Sequence, residues 1–524
     1  MSAAPASHSA SQDKNEDRAT LECKHPGILL IAVMGVSIIQ FLDMTIANVA
    51  LPHMQSSLGA SIDTITWVLT SYIIAGVVMM PISGWLSDRF GSRRLYLWSV
   101  TGFILTSMLC GAATSLPQMV LFRTLQGVTS AFVTPLSQTI IFDTNAPSKQ
   151  PKAVTLWGMV IMLAPISGPV IGGVLTETLN WRWVFYINLP IGIPALVLLF
   201  WLLPSRPLVD RKLDKLGFLM LAIGLGALQL MLDRGQHKDW LQSWEIIIEL
   251  MVICGAFWIF MTHSMMTKNP LFPGALVKNG NFIASAGFMA VLGMANVALT
   301  SLLPTMFQSV YQYDVIETGM LMVPRAVGLT ITMLITTRIM SRIDMRYLVV
   351  MGYLIAAYAL WMMSQWSLEM GRWPIMSAGF IMGLGLGFIS TPINLVAFAT
   401  LAPQHRPDGT SLLTLVRNLG SSFGISIIVT LLARNSQISH ADIAANVTSS
   451  SVSGFDLSAT TQQLGDAGSA VMQMINGEVS RQAIMVAYID NFYALAWFIL
   501  FVAPLAMLLK PMRIYQNSKA PITE

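Results

Sequence analysis

The chain has 524 residues, 54% of them hydrophobic and only 11% charged, with a formal net charge of +4. A soluble globular protein carries about 25% charged residues, so the composition excludes a soluble enzyme or binding module, and the small net charge points to no nucleic-acid partner. The three cysteines, Cys23, Cys110 and Cys254, are scattered and odd in number, which fits neither a metal-ligand spacing nor a disulfide framework.

Residues 1–27 are polar and lack the short apolar core of a signal peptide, so they read as a cytoplasmic tail. Span-sized apolar runs then recur to the end of the chain. They are expected at about 28–50, 64–83, 95–114, 117–140, 153–176, 183–203, 216–232, 244–262, 281–303, 318–337, 346–365, 374–398, 410–433 and 487–509. Runs of this length predict helices rather than a β-barrel. With the first residue inside, the inner segments hold 21 of the 30 Lys and Arg residues, and the outer segments hold six. The remaining three, Arg123, Arg325 and Arg417, lie within spans. That bias puts both termini in the cytoplasm and requires an even number of spans.

The first span carries Asp43, in Leu42-Asp43-Met44-Thr45-Ile46. A carboxylate at that depth is costly unless paired or protonated, so it is a candidate proton carrier. The bland alternative is a fixed carboxylate that orders helix packing. After the second span comes Gly84-Trp85-Leu86-Ser87-Asp88-Arg89-Phe90-Gly91-Ser92-Arg93-Arg94. A polar turn with this basic excess belongs at the inner face. Gly84 permits close helix approach, and Gly91 permits a turn that a side chain would block.

In the fourth span, Arg123, Gln126 and Gly127 fall on one helix face. A buried guanidinium needs an acceptor, and Gln126 can help hold it. Asp143 ends this span near the inner face, as a cap, a solvated carboxylate or, by the family resemblance given below, a partner of Arg93 or Arg94. The fifth span reads Ala164-Pro165-Ile166-Ser167-Gly168-Pro169-Val170-Ile171-Gly172-Gly173. Ala164, Gly168 and Gly172 make a smooth stripe for close packing, and Pro165 and Pro169 remove backbone donors. Arg325 in span ten and Arg417 in span thirteen are further intramembrane charges without legible partners. Gly379, Gly383 and Gly387 form a second small-residue stripe, read as packing. Residues 434–486 are expected to be a long outer loop containing a short amphipathic helix over 468–486.

The two ends echo each other. Ser341-Arg342-Ile343-Asp344-Met345-Arg346 repeats the pattern of the loop after span two, and Thr391-Pro392 repeats Thr134-Pro135. These echoes predict two six-helix bundles with spans seven and eight inserted between them, and a site at the bundle interface. The expected division is a tail to residue 27, a first bundle over 28–203, a linker with two extra helices over 204–280, a second bundle over 281–511, and a tail over 512–524.

The loop at 84–94 resembles the Gly-x-Leu-x-Asp-Arg-x-Gly signature of the major facilitator superfamily, with Ser92 standing where that family has a basic residue. The strings at Asp43, at Arg123-x-x-Gln126-Gly127 and at Gly168-Pro169-x-x-Gly172-Gly173 resemble those of its 14-span drug:proton antiporters, the EmrB/QacA type. Trp181-Arg182-Trp183-Val184-Phe185-Tyr186-Ile187-Asn188-Leu189-Pro190 favours the EmrB side. The resemblance implies an all-α polytopic fold of two six-helix bundles plus two inserted helices. It implies export of amphiphilic toxic compounds by alternating access, driven by the proton gradient without a cofactor, with Asp43 and Arg123 in proton coupling. It further implies a bacterial inner-membrane location, a periplasmic adaptor (membrane fusion protein) and an outer-membrane channel. The rival readings are a uniporter or importer of a single metabolite and a non-transporting scaffold. No nucleophile–base pair or metal cluster points to an enzyme.

Overall fold

The computed structural model describes residues 18–340, 342–446 and 466–509. The expected tail up to residue 17, Ser341, the Ser/Thr-rich stretch after Asn446 and the tail from 512 lie outside the described residues.

Among the described residues every regular element is helical. Backbone N–H and C=O groups in hydrocarbon have no water partners, so the chain satisfies them within helices. Among the described residues thirteen helices are long and apolar enough to cross a membrane. We number them in order with one broken helix included: α1 Pro26–Leu58, α2 Trp67–Phe90, α3 Ser92–Ala112, α4 in two pieces (Leu116–Ser130 and Val133–Thr144), α5 Gln150–Thr178, α6 Trp183–Leu202, α7 Lys215–Arg234 and α8 Trp244–Met266. The second half comprises α9 Gly280–Ser309, α10 Val315–Ile339, α11 Met345–Met363, α12 Arg372–Ala399, α13 Arg406–Asn446 and α14 Asp466–Val502. Fourteen crossings result, at the positions expected from hydropathy. The break in α4 follows from Pro135, whose ring opposes the carbonyl of Ala131 and which supplies no N–H to it. The turn falls at Ala131–Phe132.

Packing repeats with an offset of eight helices. In the first set α1 packs on α5, α2 on α4, α3 on α4, and α3 on α6. In the second set α9 packs on α13, α10 on α12, α11 on α12, and α11 on α14. The sets meet through α5 on α10 and, at the repeated position, through α13 on α2. Side-chain pairs separated by the repeat length meet at the junction. Gln138 Nε2 donates to Asn394 Oδ1 at 2.6 Å, and the Phe142 and Phe398 ring centroids are 4.8 Å apart. A pseudo-two-fold relation therefore passes between α4 and α12.

The inserted pair is peripheral. α8 buries little and packs on α7, and α7 in turn lies against α2 and α13. Asp233 at the end of α7 accepts from Thr70, and Arg234 stands over the Trp67 ring. Glu245 pairs with Arg234 and with Lys238.

The segment 434–486 departs from expectation. α13 is one helix of 41 residues and α14 one of 37. At 1.5 Å per residue each is roughly 55–60 Å long, about twice the ~30 Å hydrocarbon core. Most of the expected loop is therefore two continued helices, bridged by His440 and Asn476 at 3.1 Å. The helix expected over 468–486 is present as the outer part of α14, whereas the polar sequence of 434–446 hid the continuation of α13 from a search for apolar runs.

Candidate functional site

Three places bring the sequence-selected residues together. The first is the Asp43–Arg123 centre. Asp43 is fully buried on α1, and Arg123 on α4 is 1% exposed. Arg123 Nη1 lies 2.7 Å from Asp43 Oδ2 and donates to Gln126 Oε1 at 3.0 Å. Gln126 Nε2 donates to Asp43 Oδ1 at 3.1 Å. The other donor to that oxygen is Asn188 on α6, also at 3.1 Å. Asn188 is held in turn by Ser107 Oγ at 2.9 Å. Both carboxylate oxygens thus accept from N–H groups, the arrangement an ionised acid takes when it is removed from water. The guanidinium carbon lies 5.1 Å from the Tyr72 ring centroid and 5.0 Å from that of Phe185. Cation–π contact adds to the ion pair here. Asn188, Ser107, Tyr72 and Phe185 were not selected from sequence. Asn188 carried a signal, being an amide inside an apolar run, whereas a Ser, a Tyr and a Phe in a span are ordinary.

The second place is the face that carries residues 84–94, called here the basic face. Gly91 has φ +88°, so the turn needs glycine. A β-carbon on Gly84 would lie 1.9 Å from Asp408 Oδ1, so the bare glycine admits α13 of the second bundle. Asp408 pairs with Arg211 at 2.6 Å, and Arg211 also reaches Asp88 at 3.5 Å. Arg89 pairs with Asp210 at 2.5 Å in an exposed contact.

Asp143 corrects the expected pairing. Its partner is neither Arg93 nor Arg94. Arg206 grips it from two nitrogens at 2.5 and 2.8 Å, and Arg406 adds a third contact at 3.2 Å. Arg93 points instead to the end of α6, donating to the Phe200 carbonyl at 2.7 Å. It sits on the α6 side of α3, while the segment after α6 carries Arg206 under Asp143. Arg206 also donates to the Pro403 carbonyl at 3.0 Å. Two arginines of the connection between α6 and α7 therefore clamp carboxylates of both bundles. Thr139–Thr410 at 2.9 Å, Thr155–Thr391 at 3.3 Å and Ser411 to the Met80 carbonyl at 2.6 Å add ties across the same junction.

The third place is α5. A β-carbon on Gly168 would lie 2.0 Å from Thr45 Oγ1, and one on Gly172 would lie 2.7 Å from Ile46. The stripe Ala164–Gly168–Gly172 thus faces α1 immediately beside Asp43. The opposite side, with Pro165, Pro169 and Gly173, faces the second bundle; Gly173 would approach Val315 at 3.3 Å. The α12 stripe packs on α10, where Gly383 would meet the Arg325 carbonyl at 2.1 Å.

The remaining arginines differ. Arg325 is satisfied by α9: its Nη2 donates to Asn296 Oδ1 at 2.7 Å, and Thr300 lies at 3.3 Å. Arg417 lies 5.9 Å from the Phe41 ring centroid and lines a cavity between the bundles with Trp157, Met162, Met289 and Asn394. No group of three or more His, Cys, Asp or Glu side chains among the described residues could hold a metal ion.

Residues 33–425 match the Major Facilitator Superfamily. The chain is 30% identical over 492 residues to the multidrug export protein EmrB of Escherichia coli K12, covering 92% of this chain and 95% of that one. It is 32% identical over 425 residues to the EmrB of Haemophilus influenzae, covering 80% and 83%. The crystal structure of the human organic anion transporter MFSD10 superposes with a TM-score of 0.56 at 12% identity, covering 91% of this chain and 99% of that one. At that identity the likeness speaks for the fold alone. The chain belongs to the major facilitator superfamily, and within it to the EmrB type.

Proposed function

We propose that this chain is a multidrug exporter that exchanges protons for amphiphilic or hydrophobic toxic compounds by alternating access. It belongs to a transporter family, not an enzyme family, and its energy source is the proton gradient without a cofactor. The observation that carries the coupling is the Asp43–Arg123 pair, sealed inside the first bundle at 2.7 Å. The export direction rests on the α5 stripe, packed on α1 beside Asp43, and on the kinship to multidrug export proteins.

The charge bias of the loops supports a bacterial inner-membrane protein with both termini in the cytoplasm. The basic face is then cytoplasmic, and the ties at Asp88, Asp143 and Asp408 close that side. We assign 28–203 and 281–511 to the two moving bundles and 204–280 to the linker with the inserted helices. In the cycle, a compound enters between the bundles from the cytoplasm while Asp43 is ionised and paired. The bundles rock, and the cytoplasmic ties form. A proton from outside neutralises Asp43, loosens its hold on Arg123 and Asn188, and favours return after the compound leaves. A ligand shifts such an equilibrium only by its differential affinity for the two states, so proton and compound must favour different ones. The helices of α13 and α14 that continue past the bilayer offer an outer surface for a periplasmic adaptor and, through it, an outer-membrane channel.

The test uses purified protein in liposomes with an imposed pH gradient, native and Asp43→Asn. Gradient-driven export in the native protein and its loss in the variant are expected. Equal transport by both would remove Asp43 from coupling. Gradient-driven uptake of one metabolite and no drug would favour the importer reading.

A further inference from the structure

The two-fold relation between the bundles fails at one seam. On one side α5 and α10 pack directly on each other along the membrane. A β-carbon on Gly158 would lie 2.7 Å from Met333, and one on Gly173, toward the other end, 3.3 Å from Val315. The repeat predicts the same for α13 and α2. Those helices do meet at the basic face, where Ser411 donates to the Met80 carbonyl at 2.6 Å and Gly84 faces Asp408. Toward the opposite face α7 stands between them. Its Leu221 and Leu225 share one apolar cluster with Val77 of α2 and Leu415 of α13, and its Leu228 and Leu232 share another with Leu419 of α13. Gln229, buried in an otherwise apolar run, accepts from Ser422 of α13 at 2.9 Å. An amide in hydrocarbon has to face a partner, so this bond fixes which side of α7 looks toward α13.

The two attachments of α7 are unequal. Toward the first bundle, Asp233 accepts from Thr70, and the Arg234 guanidinium stands 5.8 Å from the Trp67 ring centroid. The segment leading into α7 is stitched to the loop after α2: the Val209 N–H donates to the Asp88 carbonyl at 3.0 Å, and the Trp85 indole donates to the Arg211 carbonyl at 2.8 Å. Toward α13, α7 has Gln229 with Ser422 and apolar side chains, and Arg211 reaches Asp408 at the basic face. Apolar surfaces without directional bonds can slide or part as bodies.

We infer that α7 moves as part of the first bundle and that its contact with α13 is a gate on the side opposite the basic face, latched by Gln229 and Ser422. The inserted helix thereby fills a seam that would otherwise open the cleft sideways to lipid. The inference rests on the alternating-access reading and assigns α7 to one of its two moving bodies.

The test places spin labels in pairs on cysteines at Ser57 (outer end of α1), His237 (just past α7) and Gln437 (α13), in the full chain with Cys23, Cys110 and Cys254 replaced. Distances are measured in nanodiscs by pulsed electron paramagnetic resonance across a pH series, with and without dodecyltrimethylammonium. The Ser57–Gln437 and His237–Gln437 distances should change together while Ser57–His237 stays constant. A constant His237–Gln437 distance with a changing Ser57–His237 distance overturns the inference, placing α7 with the second bundle. Changes in both distances from His237 also overturn it. A Ser57–Gln437 distance that never changes brings down the alternating-access reading, and the inference with it. A reducible bifunctional methanethiosulfonate then links α7 to either neighbour. Linking Gln229→Cys to Ser422→Cys should abolish gradient-driven export, with recovery on reduction. Linking Gly226→Cys to Val78→Cys should leave export near the native rate. Export that survives the first link overturns the gate, and export lost to the second overturns the assignment of α7 to the first bundle.

Discussion

Gly84 and Asp408 stand more than three hundred residues apart and are in contact: a β-carbon on Gly84 would fall 1.9 Å from Asp408 Oδ1 and 3.1 Å from its Cα. The loop after α2 therefore closes on the start of α13 only because position 84 has no side chain. Asp408 is fixed from its other side by Arg211 at 2.6 Å, so it cannot swing away without breaking an ion pair. Gly84→Val should disfavour this closed arrangement and slow gradient-driven export by roughly tenfold or more, about 1.4 kcal/mol or greater on the closed state. Substrate binding in detergent should persist, since the cavity residues are untouched. Measuring both rates and binding separates a gating defect from a folding defect. Native export rates in Gly84→Val would show that closure at this contact is dispensable.

The Asp143 clamp gives a second prediction. Asp143 is 1% exposed and Arg206 is 12% exposed, so this pair is only weakly screened by solvent. Arg206→Gln leaves Asp143 with Arg406 alone and removes the tie to the Pro403 carbonyl. The expected result is a shift toward opening of the basic face, by about 1–3 kcal/mol. A Ser390→Cys reporter in the cavity, with Cys23, Cys110 and Cys254 replaced, would be labelled faster by a membrane-impermeant maleimide supplied at that face. Unchanged labelling would demote the clamp to a surface ornament of the closed form.

The span positions and the location of Asp43, Arg123 and the α5 stripe were legible because each obeys a local constraint. Backbone groups in hydrocarbon demand about 20 apolar residues, and a charge inside such a run stands out. The partner of Asp143 was not legible. Arg206 and Arg406 are 63 and 263 residues away, on segments whose path is set by how the bundles dock. Arg93 and Arg94 were the candidates that the family pattern implied, but that pattern does not fix which face of α3 they occupy. The outer end of α13 was missed for a different reason, while that of α14 was legible as an amphipathic stretch over 468–486. The α13 residues past 433 form helix without burial in lipid, so hydropathy, the signal used for the spans, is silent there. The break in α4 could have been read from Pro135, since the proline acts on the carbonyl four residues back.

The α5 stripe yields a third prediction. Gly168 has Thr45 Oγ1 at 2.0 Å and Thr45 Cβ at 2.9 Å from where a β-carbon would stand. Thr45 Oγ1 is itself bonded to the Phe41 and Leu42 carbonyls of α1. Gly168→Ala should push α1 outward two residues from Asp43 and cost about 1–3 kcal/mol as overpacking. Thr45→Ala removes the closest atom and should recover part of that loss, giving a non-additive double mutant. Thermal unfolding in detergent reads the stability, and proton-driven export reads the displacement of Asp43. Strict additivity would place the two residues out of contact.

The last prediction concerns what Arg123 supplies beyond charge. Its Nη1 serves Asp43 and Gln126 together, and its plane lies near the Tyr72 and Phe185 rings at 5.1 and 5.0 Å. A lysine ammonium can keep the charge beside Asp43, but it is a compact point donor without the fork or the stacking plane. In Arg123→Lys the Gln126 oxygen keeps only the weak Cys110 thiol donor, the aromatic faces lose the guanidinium plane, and Asp43 loses a fixed orientation. Gradient-driven export should fall by at least about tenfold. The variant should bind substrate with native affinity, since neither Asp43 nor Arg123 lines the cavity between the bundles. Tyr72→Leu, which removes one ring and leaves the ion pair, should produce a smaller loss, about 0.5–2 kcal/mol. Full proton-driven export by Arg123→Lys would show that charge alone serves. An equal loss in Tyr72→Leu and Arg123→Lys would instead put the function in the packing of α2 on α4 rather than in the guanidinium.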